Sequence, residues 1–203
     1  MKIKNTTVLK SVEKPGRYSA GEFGQIIKDK KDIKARWAFC FPDTYEIGMS
    51  NLGVRILYGA LNSEPDIWCE RAYAPWTDMQ EQMRKHGIPL TAHESGDPLR
   101  EFDIIGITLQ YEMCYTTTLQ MLSLAGIPLY AKDRGEDLPI IIGGGPCAYN
   151  PEPIADFFDC FSIGEGEENL VEFTRLYIEM KENGTYTKKD FLHRAAAEIG
   201  GIY

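Results

Sequence analysis

Asp103–Leu109 reads DIIGITL and Leu138–Pro146 reads LPIIIGGGP, and these two stretches decide the fold. Each is a short apolar run, too brief for a helix and apolar at consecutive rather than alternate positions. A strand with that pattern is buried on both faces, as in a parallel sheet covered by helices. The strand Leu138–Ile142 is ended by Gly143-Gly144-Gly145-Pro146, residues that break regular structure.

Similar runs lie to either side. Trp37–Phe41 reads as a strand, followed by the loop Pro42–Ser50 and a helix around Gly53–Leu61. Ile67–Tyr73 is the next strand. Thr77 is read as the cap of a helix through Lys85, with Asp78 in its first turn, where negative charge complements the helix dipole. Pro89–Ala92 reads as a short extra strand. A helix at about Thr116–Ala125 follows DIIGITL, a short helix begins near Pro153, and Cys160–Ile163 is a further strand. Glu167–Glu182 carries Leu170, Val171, Phe173, Leu176, Tyr177 and Met180 on one broad apolar stripe. Thr187, with Asp190 three residues on, caps a last helix, Lys188–Ile199, which Gly200-Gly201 stops. Strands alternating with helices imply an α/β fold with a mostly parallel, doubly wound sheet. Residues 1–33 are polar and irregular and read as an N-terminal arm packed on the domain through Tyr18, Phe23, Ile26 and Ile27. Residues 34–186 form the domain, and 187–203 hold the closing helix.

A chain of 203 residues can bury roughly 70% of its unfolded surface, so no disulfide or metal is needed for folding. Acidic residues outnumber basic ones, 30 against 22, for a net charge of −8. That balance argues against a nucleic-acid backbone or an anionic membrane as the main partner. No apolar core follows the lysines of MKIKNTTVLKSVEKPGRY, so no secretory signal is read there, and no apolar run nears the ~20 residues of a membrane span. A cytoplasmic location is expected. Cys40, Cys69, Cys114, Cys147 and Cys160 form no CxxC and no CxxxCxxC. Neither a zinc ribbon nor a self-contained iron–sulfur site is therefore encoded, and the thiols read as small buried hydrophobes.

Ligands of doubly wound sheets bind beyond the carboxyl ends of the strands. The loops there are unusual: Pro42–Asn51 after the first strand, Gln110-Tyr111-Glu112-Met113 after the third, the triple glycine after the fourth and Gly164-Glu165-Gly166-Glu167 after the fifth. Glycine lets backbone approach a flat or bulky ligand, although a tight turn would also explain it. No GxGxxG follows the first strand, and GxxxxGK[ST] is absent. His86 sits at a helix end, His93 in a polar loop and His193 in the last helix, and they form no metal pattern. Glu165, Glu167 and Glu168 open a helix and read first as dipole complements, with cation ligation as the other reading. No catalytic or metal-ligating set is assigned, and the residues describe a binding domain.

Four segments resemble a known family: KPGRYSAGEFGQIIKD (14–29), FPDTYEIGMSNLGVRILYGALN (41–62), GGGPCAYNPEPIADFFDCFSIGEGEENL (143–170) and GGIY (200–203). They are similar to the N-terminal region of radical-SAM proteins with a cobalamin-binding-like domain. The match is best with an uncharacterised bacterial subfamily in which that domain and a radical-SAM domain share one chain. The resemblance implies a flavodoxin-like five-stranded sheet of order 2-1-3-4-5, with the corrin of cobalamin over its carboxyl edge. It implies a partner, the radical-SAM domain of the same full-length protein, acting on an unknown substrate. The CxxxCxxC of that domain would hold a 4Fe–4S cluster used with S-adenosylmethionine. Because the motif is absent here, this chain is expected to have no turnover alone, and Gly201-Ile202-Tyr203 is read as the start of a linker.

The same resemblance supplies candidate cofactor residues. Asp43, Tyr45 and Gly48 stand at the family's D-x-H-x-x-G, with Tyr45 in place of the histidine that ligates cobalt from below. Neutral tyrosine is a poor cobalt ligand beside imidazole. Thr108-Leu109-Gln110 stands near the family's S-x-L, and Gly143-Gly144 matches its glycine pair. Gly145, Pro146, Glu165, Gly166 and Glu167 complete the set. Two further readings stay open: a domain that has lost the corrin and serves substrate recognition or docking, and a stand-alone flavodoxin-like regulatory or nucleotide-binding module.

Overall fold

The structure is a computed structural model and describes residues 1–203. The strands are β1 (Ala35–Phe41), β2 (Ile67–Tyr73), β3 (Ile104–Thr108), β4 (Ile140–Gly144) and β5 (Cys160–Phe161). They form one parallel sheet of order β2-β1-β3-β4-β5. Trp37 pairs with Cys69 on one side and Ile104 on the other, and Ile104 pairs in turn with Ile140. The helices are α1 (Thr6–Lys10), α2 (Tyr45–Gly48), α3 (Leu52–Ser63), α4 (Thr77–His86), α5 (Cys114–Leu124), α6 (Gly166–Glu182) and α7 (Lys188–Glu198). The fold is thus α/β and flavodoxin-like. No helix is long and apolar enough to cross a membrane.

Strand alternation divides the interior into two cores. Trp37, Phe39 and Phe41 of β1 face α3, α6 and α7, where Val54, Leu61, Phe173 and Phe191 meet them. Ala38 and Cys40 face the other way, toward Met79 and Met83 of α4 and Met121 and Leu122 of α5. The small residues on that second face leave room for the chain's beginning: Met1, Ile3, Val8, Val12 and Tyr18 are buried in it. Phe23 and Ile27, which were expected to anchor the arm, are exposed. Between them, Ile26 is held by its backbone, which accepts from Trp68 Nε1 at 3.1 Å and donates to the Tyr58 hydroxyl at 2.7 Å.

Several boundaries depart from the sequence expectation. β4 does not stop at Ile142 but continues through Gly143 and Gly144, because β3 offers Ile107 and Thr108 as ladder partners. Pro89–Ala92 is not a strand; Thr91 makes one antiparallel bridge to Pro98, and the neighbouring backbone bonds go to Leu124 and Asp97 instead. Thr77 is the first residue of α4 rather than its cap, which is Trp76. β5 ends at Phe161, and Ile163 donates to Gly201 O of the returning chain. Thr187 caps α7 as expected, accepting from Asp190 N at 3.0 Å.

Candidate functional site

A cleft of about 200 Å³ opens at the carboxyl edge between α3 and α6. Its floor is Trp37 and Phe39 of β1, and Trp37 is fixed by its indole N–H, which donates to Thr174 Oγ1 at 2.9 Å. Beside them β3 and β4 present glycine where other strands present side chains. A Cβ on Gly106 would lie 3.0 Å from the Trp37 ring, whereas one on Gly144 would meet nothing nearer than Ser162 O at 3.7 Å. The gap over Gly144 is therefore the cleft itself. At the α6 end, Gly166 lets the helix approach Leu57 of α3, since a Cβ there would come within 2.9 Å of it.

The mouth is polar. Ser162 is buried with no hydrogen-bond partner for its hydroxyl, and it lines the cleft. The first turn of α6, Gly166 onward, opens on the same space and has no side-chain cap. Helix N-terminal amides and a free hydroxyl together favour a ligand group that accepts hydrogen bonds. Gln110 is anchored by its amide to Thr108 Oγ1, and Leu109 N donates to Gly144 O at 2.7 Å, locking the two loop starts together.

Of the residues proposed from sequence, Thr108, Gln110, Gly143, Gly144, Gly145, Glu165, Gly166 and Glu167 line this cleft. Asp43, Tyr45, Gly48 and Pro146 do not. Asp43 Oδ1 accepts from Thr44 N at 2.6 Å. A Cβ on Gly48 would lie 2.5 Å from the Tyr73 ring, so close packing accounts for that glycine. Trp37, Phe39, Gly53, Leu57, Gly106 and Ser162 were not picked out from sequence, although a glycine inside the apolar run DIIGITL signals a close approach.

Tyr45 belongs to a second cluster, on the β2 side. Its ring stacks on His93 with centroids 5.3 Å apart and meets Tyr73 edge-on at 5.4 Å. Its hydroxyl faces Glu22 of the arm; burial and that neighbouring carboxylate push it up to about 12, so it stays protonated. His93, read from sequence as lying in a polar loop, is 1% exposed. Burial and the nearby terminal amine hold it down to about 3, in the neutral form. Glu22 also accepts from Arg71 Nη2 at 2.6 Å, and Arg71 Nε donates to the fully buried Glu94 at 2.7 Å. Burial would raise the Glu22 carboxyl, yet the Tyr45 hydroxyl and Arg71 bring it below the usual range.

A family model described as radical SAM proteins, N-terminal, matches residues 53–203. The chain belongs to this family. An uncharacterized protein of Methanocaldococcus jannaschii is 29% identical over 154 residues, which cover 74% of this chain and 28% of the relative. The chain thus spans less than a third of that relative's length. No solved structure matches it. For this radical-SAM N-terminal domain the matched span takes in β3, β4, α6 and all but the first residue of α3, which wall the cleft. The floor residues Trp37 and Phe39, and Tyr45 with them, precede it.

Proposed function

We propose that this chain is the cobalamin-binding module of a longer radical-SAM protein. The observation that carries the reading is the cleft, a slot with an aromatic floor and bare glycine walls that runs inward from the carboxyl edge between α3 and α6. Its chemistry suits a flat heterocycle carried on a polar tail. The rings of Trp37 and Phe39, packed over Gly106, would meet the flat group, and Gly144 would leave it room. The Ser162 hydroxyl and the uncapped amides of α6 would serve its polar attachment. When bound, cobalamin supplies one-carbon or radical chemistry at cobalt; this chain's residues would hold and orient it. A cluster and S-adenosylmethionine belong, in this reading, to the part of the longer protein outside this chain.

Tyr45 does not serve as the lower ligand in this reading. Its hydroxyl faces Glu22 and its ring is held between Tyr73 and His93, on the β2 side of β1 and outside the cleft lining. The cobalt would then have no protein ligand from the D-x-H-x-x-G position. The test is a titration of the purified chain with hydroxocobalamin. A visible-spectrum shift that survives dialysis at micromolar concentration is expected, and the reduced Co(II) form should show no nitrogen hyperfine splitting from a protein imidazole. Absence of retention would refute the reading. It would favour the second one, a corrin-free docking domain, for which the engagement of Tyr45 away from the cleft is the supporting observation.

A further inference from the structure

Half of the twelve large apolar side chains that remain exposed are gathered on one edge. Ile47, Met49, Leu52, Tyr111, Met113 and Tyr149 all lie in the loops or the helix start that follow β1, β3 and β4. In a parallel sheet those segments share the carboxyl edge. The segments entering the strands expose three comparable residues, Phe23 and Ile27 before β1 and Tyr130 before β4. Charge is as lopsided: segments 42–54, 109–115, 143–153 and 162–169 contain no Lys or Arg and seven acidic residues. Of those seven only Glu46 is ion-paired, to Arg17 and Lys14. Glu112, Glu165, Glu167 and Glu168 are exposed without a cationic partner.

We infer that this edge is a docking surface for a protein face with an apolar centre and a Lys/Arg border, supplied by the polypeptide that follows this region in longer members of the family. Apolar area of this kind marks an interaction site. The charge excludes the other occupants: a second copy would set acidic edge against acidic edge, and an anionic bilayer or a nucleic acid would be repelled. The relative, more than three times this chain's matched length, has the polypeptide to cover it. This inference goes beyond the corrin reading, since the apolar and acidic border surrounds the mouth of the cleft whatever the cleft holds.

The experiment is hydrogen–deuterium exchange of segments 45–52 and 109–115 in the longer protein and in the 203-residue chain, each with and without hydroxocobalamin. Exchange at least tenfold slower in the longer protein without cobalamin is expected. The slowing should shrink at 1 M salt, where the screening length falls to about 3 Å, and in the double variant Glu112→Lys/Glu168→Lys, whose positions lie outside the cleft lining. Equal exchange in the two chains would overturn the inference, as would protection insensitive to both salt and the double variant. Slowing that appears only with cobalamin would overturn it while leaving the corrin reading intact. Slowing in the 203-residue chain that grows with its concentration would assign the edge to self-association instead.

Discussion

Gly144→Val should abolish ligand binding without loosening the protein. Gly144 has ordinary strand backbone, and its added Cβ meets nothing closer than 3.7 Å, so the side chain enters the cleft and not a packed neighbour. A β-branched residue in place of a strand glycine contributes up to about 1 kcal/mol of stability. The ligand fares differently. An aromatic group that buries roughly 150–250 Å² gains about 4–6 kcal/mol at ~25 cal/mol per Å². Keeping it out of a cleft of about 200 Å³ should raise Kd by ~1,000-fold or more. Its neighbour is the control. A Cβ on Gly143 would press on Phe161 at 2.7 Å and Phe158 at 3.1 Å, in the opposite core. Gly143→Ala should therefore cost about 1–3 kcal/mol of stability by overpacking while its folded fraction still binds. The assay pairs a hydroxocobalamin titration with urea unfolding for both variants. Gly144→Val with unchanged Kd and an unchanged unfolding midpoint would refute the assignment of the cleft.

Three further outcomes are expected. Arg71→Met leaves Glu94, whose side chain is 0% exposed, without its cation, and should cost about 3–5 kcal/mol in urea unfolding; a loss below 1 kcal/mol would show that water reaches the site. Stability should fall on mild acidification because of His93. Its folded form resists protonation down to about 3, while the unfolded residue takes a proton near pH 6.5, so the unfolded state gains from that pH downward, by about 2 kcal/mol at pH 5. Glu94, raised by burial, works against this trend, whereas Glu22, lowered, adds to it at more acid pH. The Met1 amine beside it, held down to about 5 by burial, adds a loss over the same range, so His93→Phe should lessen the slope between pH 7 and 5 without removing it, and an unchanged slope would assign the loss elsewhere. Gly48→Ala, with its Cβ 2.5 Å from the Tyr73 ring, should destabilise by about 1–3 kcal/mol and leave the affinity of the folded protein for hydroxocobalamin unchanged.

The strands were legible because a sheet covered on both sides needs unbroken apolar runs, and such runs are rare elsewhere. Even β2, which carries Glu70 and Arg71, was bounded at Ile67 and Tyr73. Its charges are buried against Arg36 and Glu94, so the strand is as dry as its neighbours. His93 and Tyr45 were not legible, because their roles depend on contacts 22 to 71 residues away in sequence, with Glu22 and Arg71. No local pattern marks a loop histidine as buried. The cleft floor was hidden for a related reason: Trp37 and Phe39 look like any core residue until the register with Gly106 shows that the strand beside them is bare.

The triple glycine shows how far local reading reaches. In sequence it is one signal, an approach of backbone to a ligand. In the structure three successive residues have three separate causes, set by strand alternation and by where the strand ends. Gly143 points into the core of Phe158 and Phe161, which admits no Cβ. Gly144, one residue on, faces the cleft and is the only one of the three whose missing side chain leaves usable space. Gly145 leaves the strand at φ +91°, in the left-handed region where glycine is favoured, and a Cβ there would sit 3.0 Å from Thr108 Oγ1. If the cleft had no ligand to admit, Gly143 and Gly145 would still be required by packing and backbone geometry, but nothing in the fold would require Gly144.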